Sequence, residues 1–169
     1  GLGQLDRLQG RLADARVVCE VVLALATGLQ DPEYIAGALL NLAMLALATD
    51  RLAESRRLLL RVVDIADAIG SRPAALCVVD ICAAMAATDG DPERAARWYG
   101  LAQTQYAVAS LNRDAADEAF IAEAMAPVRA ALGKAFDALA ERGRLEGFES
   151  VWAALPAWLS RSSASDPAA

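Results

Sequence analysis

The sequence predicts an all-α protein, built from antiparallel helical hairpins stacked side by side and closed at its C-terminal end by a non-repeating helical cap. Three observations carry that expectation: a composition dominated by small apolar helix formers, apolar positions spaced three and four residues apart, and the recurrence of that spacing after forty residues.

Apolar residues make up 56% of the 169-residue chain and charged residues 22%, a balance that favours collapse over disorder. Much of the apolar content is alanine, the best intrinsic helix former, and aromatics at 5% leave few of the residues that favour strands. At this length one ordinary domain or a short repeat array is expected, able to bury on the order of 70% of the unfolded chain's surface.

Internal repetition is the most informative feature. The stripe Leu12, Ala15, Cys19, Val22, Ala26, Leu29 returns forty residues later as Leu52, Ser55, Leu59, Val62, Ala66, Ile69, and after another forty as Pro92, Ala95, Tyr99, Ala102, Tyr106, Ala109. Each copy follows a turn-forming cluster: Gln9-Gly10-Arg11, Thr49-Asp50-Arg51 and Thr88-Asp89-Gly90-Asp91. Pro92 suits a first helical turn, where a missing N–H costs least.

A second repeated helix lies between these. The run from Ala38 to Asp50 aligns with Cys77 to Asp89 at an offset of 39, Gly90 being a one-residue insertion. The unit is therefore a hairpin of about forty residues whose two apolar faces require stacked neighbours for burial. Gln30-Asp31-Pro32 and Gly70-Ser71-Arg72-Pro73 read as the links, with Gly70 at a helix C-terminus and prolines opening the next helix. Shifting by forty places Leu2 and Leu5 on Leu42 and Leu45, so the chain is expected to start inside a hairpin, the alternative being an evolved N-terminal cap.

Beyond the third copy the period is lost. Residues 1–110 are assigned to the repeats, an incomplete first hairpin and about two more, residues 111–160 to the cap, and residues 161–169 to a frayed tail without apolar period. Within the cap, Asp114 to Leu132 reads as one long helix stopped by Gly133, with a kink near Met125 imposed by Pro127. Shorter helices are expected over Lys134 to Arg142 and Gly147 to Leu159, the last with a stripe of Phe148, Val151, Trp152, Leu155 and Leu159.

Small residues mark the close approaches: Ala43 and Cys82 in the first helix of a hairpin, and Ala15, Ser55 and Ala95 in the second. With Asn41-Leu42-Ala43 followed by Asp50-Arg51-Leu52-Ala53-Glu54-Ser55, the pattern resembles the tetratricopeptide repeat over roughly Leu2 to Ser110, with a longer period. The stretches Gly90 to Gln103, Val128 to Phe136 and Glu141 to Leu145 are similar to the C-terminal part of large LuxR-type, ATP-dependent bacterial transcriptional regulators. The resemblance implies a right-handed solenoid and a protein-interaction or sensor module that binds a protein or peptide partner, or a small effector. It also implies a concave groove lined by Gly37, Asn41, Met44, Asp80 and Ala83. Leu40 and Val79 stand where carboxylate-gripping members carry lysine, so capture of a C-terminal carboxylate is not indicated. The competing reading is that Asn41 and Asp80 hydrogen-bond neighbouring helices.

Chemistry is sparse. The chain contains no histidine, which removes Ser-His-Asp and Cys-His arrangements. Cys19, Cys77 and Cys82 are an odd set within apolar helices and read as core thiols. Cys77 and Cys82 are also about 140° apart on one helix, unsuited to sharing zinc. The carboxylate groups Asp64 with Asp67 and Asp114 with Asp117 and Glu118, like the arginines Arg56, Arg57, Arg61, Arg94 and Arg97, read as solvated helix faces. No phosphate-binding loop is present, and no cofactor, metal or catalytic residue is expected.

A formal charge of −6 opposes nucleic acid and anionic lipid as direct ligands. No apolar run reaches the ~20 residues of a membrane span. Without a secretion signal at Gly1 to Asp6, the expected compartment is the cytoplasm. An alternative function is a structural or dimerisation element whose apolar ends, with Trp152 and Trp158, mate with another copy.

Overall fold

The computed structural model describes residues 11–161, which hold eight α-helices and no strand. In chain order they are α1 Leu12–Gly28, α2 Pro32–Ala48, α3 Leu52–Ile69, α4 Arg72–Thr88, α5 Pro92–Val108, α6 Ala115–Leu132, α7 Ala135–Arg144 and α8 Phe148–Leu159. Positions 1–10, where the incomplete first hairpin was placed, and 162–169, most of the expected tail, lie outside the described residues. No helix of the described residues is long and apolar enough to cross a membrane.

The turns repeat more tightly than the sequence shows. A left-handed residue ends each of the first five helices at a spacing of twenty: Gln30, Asp50, Gly70, Gly90 and Ser110, with φ between 53° and 80°. The next amide then reaches back five residues: Asp31 to the Ala26 carbonyl, Arg51 to Ala46, Ser71 to Ala66, Asp91 to Ala86 and Leu111 to Tyr106, over 2.8–3.1 Å. This is the Schellman bond, which satisfies a carbonyl that a helix C-terminus leaves open. Because it recurs at half the sequence period, both helices of each hairpin stop by the same device.

The starts are capped by side chains where the sequence supplies one. Asp31 accepts from the Tyr34 amide at 3.2 Å, Asp91 from Arg94 at 3.0 Å and Asp114 from Asp117 at 2.8 Å, each satisfying a donor with no partner inside its helix. Pro32 and Pro92 occupy the first turns of α2 and α5. The Gly70–Pro73 link is shorter than the sequence indicates, because α4 already begins at Arg72 with Ser71 before it.

Two compact units divide the chain, Gly1–Val78 and Val79–Ala169, with the boundary inside α4. In the first, α2 packs on both α1 and α3. Ala15 and Cys19 of α1 form a core with Leu42 and Leu45 of α2, flanked by Leu12, Leu23 and Leu58. The Ser55 hydroxyl, fully buried, donates to the Ala43 carbonyl at 2.9 Å, so the small residues read as close-approach points do bring α2 and α3 together. At the edge, Arg16 bridges Glu20 at 2.8 Å and Glu54 at 2.7 Å.

In the second unit α5 packs closely on α7 and also meets α6. Two glycines allow the α5–α7 contact: a Cβ on Gly100 would fall on the backbone of Ala140, and one on Gly143 on the backbone of Arg97. Trp98 of α5 meets Trp158 of α8 edge-on at 4.8 Å, and Phe148 stacks on Trp152 at 5.8 Å. The predicted stripe of α8 is buried at Phe148, Val151, Leu155 and Leu159. Helix α6 runs through Pro127 without a restart. Pro127 and Glu123 both lie on its exposed side, so the carbonyl that the proline cannot serve lies at the water-facing edge of the helix.

Candidate functional site

The expected groove residues occupy unlike surroundings. Gly37, Asn41 and Met44 lie on α2 in the first unit, and Asp80 and Ala83 on α4 in the second. Gly37 is half-buried, with open space where a side chain would project. Asn41 is also half-buried, and its amide donates to the Gly37 carbonyl one turn back at 3.0 Å. Met44 and Ala83 are buried, as is Asp80. The half-buried pair Gly37 and Asn41 is the part of the set that retains contact with solvent.

Asp80 forms the most polar buried site among the described residues. Its carboxylate receives Arg113 Nε on one oxygen at 2.7 Å and Nη2 on the other at 2.9 Å. Both side chains are almost shielded, at 7% and 5% exposure. The Arg113 guanidinium also lies 4.5 Å from the Tyr106 ring centre and 3.5 Å from a Glu118 carboxylate oxygen, and the Tyr106 hydroxyl bonds the Asp80 carboxylate. Forked pairing of this kind is the strong, directional form of a charged hydrogen bond.

Burial pushes the Asp80 carboxyl above its ordinary value, and the Arg113 hydrogen bonds and charge pull against that without cancelling it. Burial likewise disfavours the charge on Arg113, but the hydrogen bond and charge of Asp80, with Tyr106 and Glu118, outweigh it and raise the guanidinium further. Both values rise, Asp80 against its charged form and Arg113 toward its own, because burial opposes either charge while each charge favours the other. A buried carboxyl has a neutral form within reach, whereas arginine has none, so burial shows in the Asp80 value and the pairing in the Arg113 value.

The chemistry of this arrangement is restraint. Both carboxylate oxygens are occupied, and Arg113 sits in the link between α5 and α6, so the pair fastens that link to α4. Sequence reasoning singled out Asp80 and missed Arg113 and Tyr106. A signal existed: a lone acid in an apolar helix requires a buried cation, and Arg113 stands beside the residue that caps α6.

Other side chains fall where local pattern put them. Cys19 and Cys82 are buried and Cys77 half-buried. Asp64, Asp67, Arg57 and Arg61 are exposed, whereas Arg56 is 6% exposed on a face of α3 that had been read as solvated. Among the described residues no group of three His, Cys, Asp or Glu side chains converges as a metal site. No protein-family model, curated protein or solved structure matches the chain.

Proposed function

We propose that the chain is a non-enzymatic interaction or sensor module, a right-handed tetratricopeptide-like solenoid belonging to a bacterial transcriptional regulator in the cytoplasm. The observation that carries this reading is the identical turn repeated every twenty residues across five helices. Uniform turns generate repeated hairpins, and stacked hairpins commonly present an extended face to a partner. A protein or peptide segment is the partner class favoured, with a small effector as the other. Gly37 leaves space on α2, and Asn41 offers an amide half exposed beside it. Fold by itself does not determine function.

The dimerisation alternative placed in Trp152 and Trp158 has weaker support. Trp158 is 8% exposed and packed on Trp98, and Trp152 stacks on Phe148 within its own helix.

Peptides selected for binding from a random display library test the interaction reading. Amide chemical-shift changes centred on Gly37 and Asn41, lost in Asn41→Ala, are the expected outcome. Selected peptides that shift only other helices refute the groove. The regulator assignment is tested separately by the encoding gene: a nucleotide-binding or helix-turn-helix segment in the same reading frame is expected, and a reading frame holding neither removes it.

A further inference from the structure

The link that follows α5 departs from those before it. Two or three residues join each consecutive pair of helices from α1 to α5, whereas six, residues 109–114, precede α6. Packing changes at the same point. Gly100 and Gly143 bring the α5 and α7 backbones together, and α6 meets both of those helices more sparsely. It buries Ala116, Ile121, Met125 and Val128 out of 18 residues, whereas α5 buries seven of 17. Pro127 removes one hydrogen bond from its interior. Gly133, at φ 52°, follows it with backbone freedom that other residues lack.

Two arginines at the ends of α6 hold it in place. Arg113, in the link, forks onto Asp80 at 2.7 and 2.9 Å and lies 4.5 Å from the Tyr106 ring centre. Arg129, in the last turn, lies 3.9 Å from the ring centre of Phe136 on α7 and 5.5 Å from that of Tyr99 on α5. Those two rings meet at 5.9 Å, so the end of α6 covers the aromatic junction of α5 with α7. The Arg113 attachment is the stronger one. Its side chain is 5% exposed against 49% for Arg129, and charged contacts shielded from water are worth more than exposed ones.

We propose that α6 with its link is a lid, which opens as one unit while α5 and α7 stay packed together, and that the Asp80–Arg113 pair is its gate. Local opening is drawn from elements that bury little apolar surface. Arg113 directly precedes Asp114, which caps α6, and also meets Glu118 of the first turn at 3.5 Å. The start of the helix therefore cannot depart while the fork is closed. Opening uncovers the Tyr99 and Phe136 rings. The lid rests on packing within the C-terminal unit and stands apart from the groove reading at Gly37 and Asn41.

Hydrogen exchange of the full chain in low, non-denaturing urea, followed amide by amide by NMR, tests it. The α6 amides should exchange through a shared opening at least ~10-fold more frequent than the one that exposes α5 and α7, and with a weaker urea dependence, because less surface is uncovered. Arg113→Ala should raise the α6 rates ~10²–10³-fold, since the closed state then holds Asp80 unpaired. Where that variant is too unstable to measure, Arg113→Lys, which keeps the charge and loses the fork, should raise them ~10-fold. Amides of α6 that exchange only together with those of α5 and α7 overturn the proposal. So do α6 rates that neither substitution moves while those of α5 and α7 rise, because the fork then stays closed in the open state.

Discussion

The Arg113 guanidinium meets the Asp80 carboxylate side-on, Nε at 2.7 Å from one oxygen and Nη2 at 2.9 Å from the other, from positions 33 residues apart. The pair joins a residue of the repeating region to the link that begins the non-repeating one. Its value lies in restraint as well as energy, because desolvating two charges offsets much of their attraction.

Breaking that pair on one side leaves a buried charge without compensation. Asp80→Ala is expected to lose ~3–5 kcal/mol of unfolding free energy, and Arg113→Ala a similar amount. Asp80→Leu combined with Arg113→Met should recover most of that loss. Urea denaturation of the four chains decides it, and a double variant less stable than either single one would show that the two residues act separately.

Gly100 and Gly143 should tolerate no methyl group. Elsewhere a mid-helix Gly→Ala stabilises by ~0.5–1 kcal/mol. Here the added Cβ meets the backbone of Ala140 or Arg97, which cannot rotate away, so each substitution should instead cost ~1–3 kcal/mol. Gly37→Ala, with nothing near its added carbon, is the control of opposite sign. Thermal melts of the three variants decide it.

Left-handed backbone recurs at Gln30, Asp50, Gly70, Gly90 and Ser110, yet glycine occupies only two of these positions. A left-handed conformation costs a residue with a side chain roughly 1–2 kcal/mol. Gln30→Gly is expected to raise stability by up to ~1 kcal/mol, after the entropy glycine adds to the unfolded chain, and Gly90→Ala to lower it by ~1 kcal/mol. Opposite signs in chemical denaturation check the assignment.

Arg16 holds the Glu54 carboxyl below its ordinary value, chiefly through their hydrogen bond. A carboxylate with a depressed folded-state value contributes stability above its unfolded value and loses it as pH falls through the folded one. The chain should therefore weaken on acidification in that window. Arg16→Ala should return the Glu54 titration, followed by carboxyl carbon NMR, toward the ordinary range. An unchanged titration would remove Arg16 as the cause.

Much of the local architecture was legible without coordinates. The stripe from Leu12 to Leu29 marked α1, Pro92 marked the start of α5, and Gly133 marked the end of α6, because helix periodicity and capping act over three to five neighbouring residues. The turn at Ser110 was not legible, since neither a glycine nor an asparagine announces its left-handed backbone. Arg56 was also misread as solvated, because a charged residue in an amphipathic stripe carries no local sign of burial.

By itself the sequence determined that the chain is helical, where most helices begin and end, and which residues recur at forty. Tertiary structure decided which polar groups found partners: Arg113 for Asp80, Glu54 for Arg16, the Ala43 carbonyl for Ser55. It also decided that Trp158 turns inward onto Trp98 while Val17, Val21 and Leu25 face outward. The physical reason is range. Backbone hydrogen bonds and caps close within one helical turn, whereas burial and ion pairing depend on segments distant in the chain, whose meeting no local pattern records.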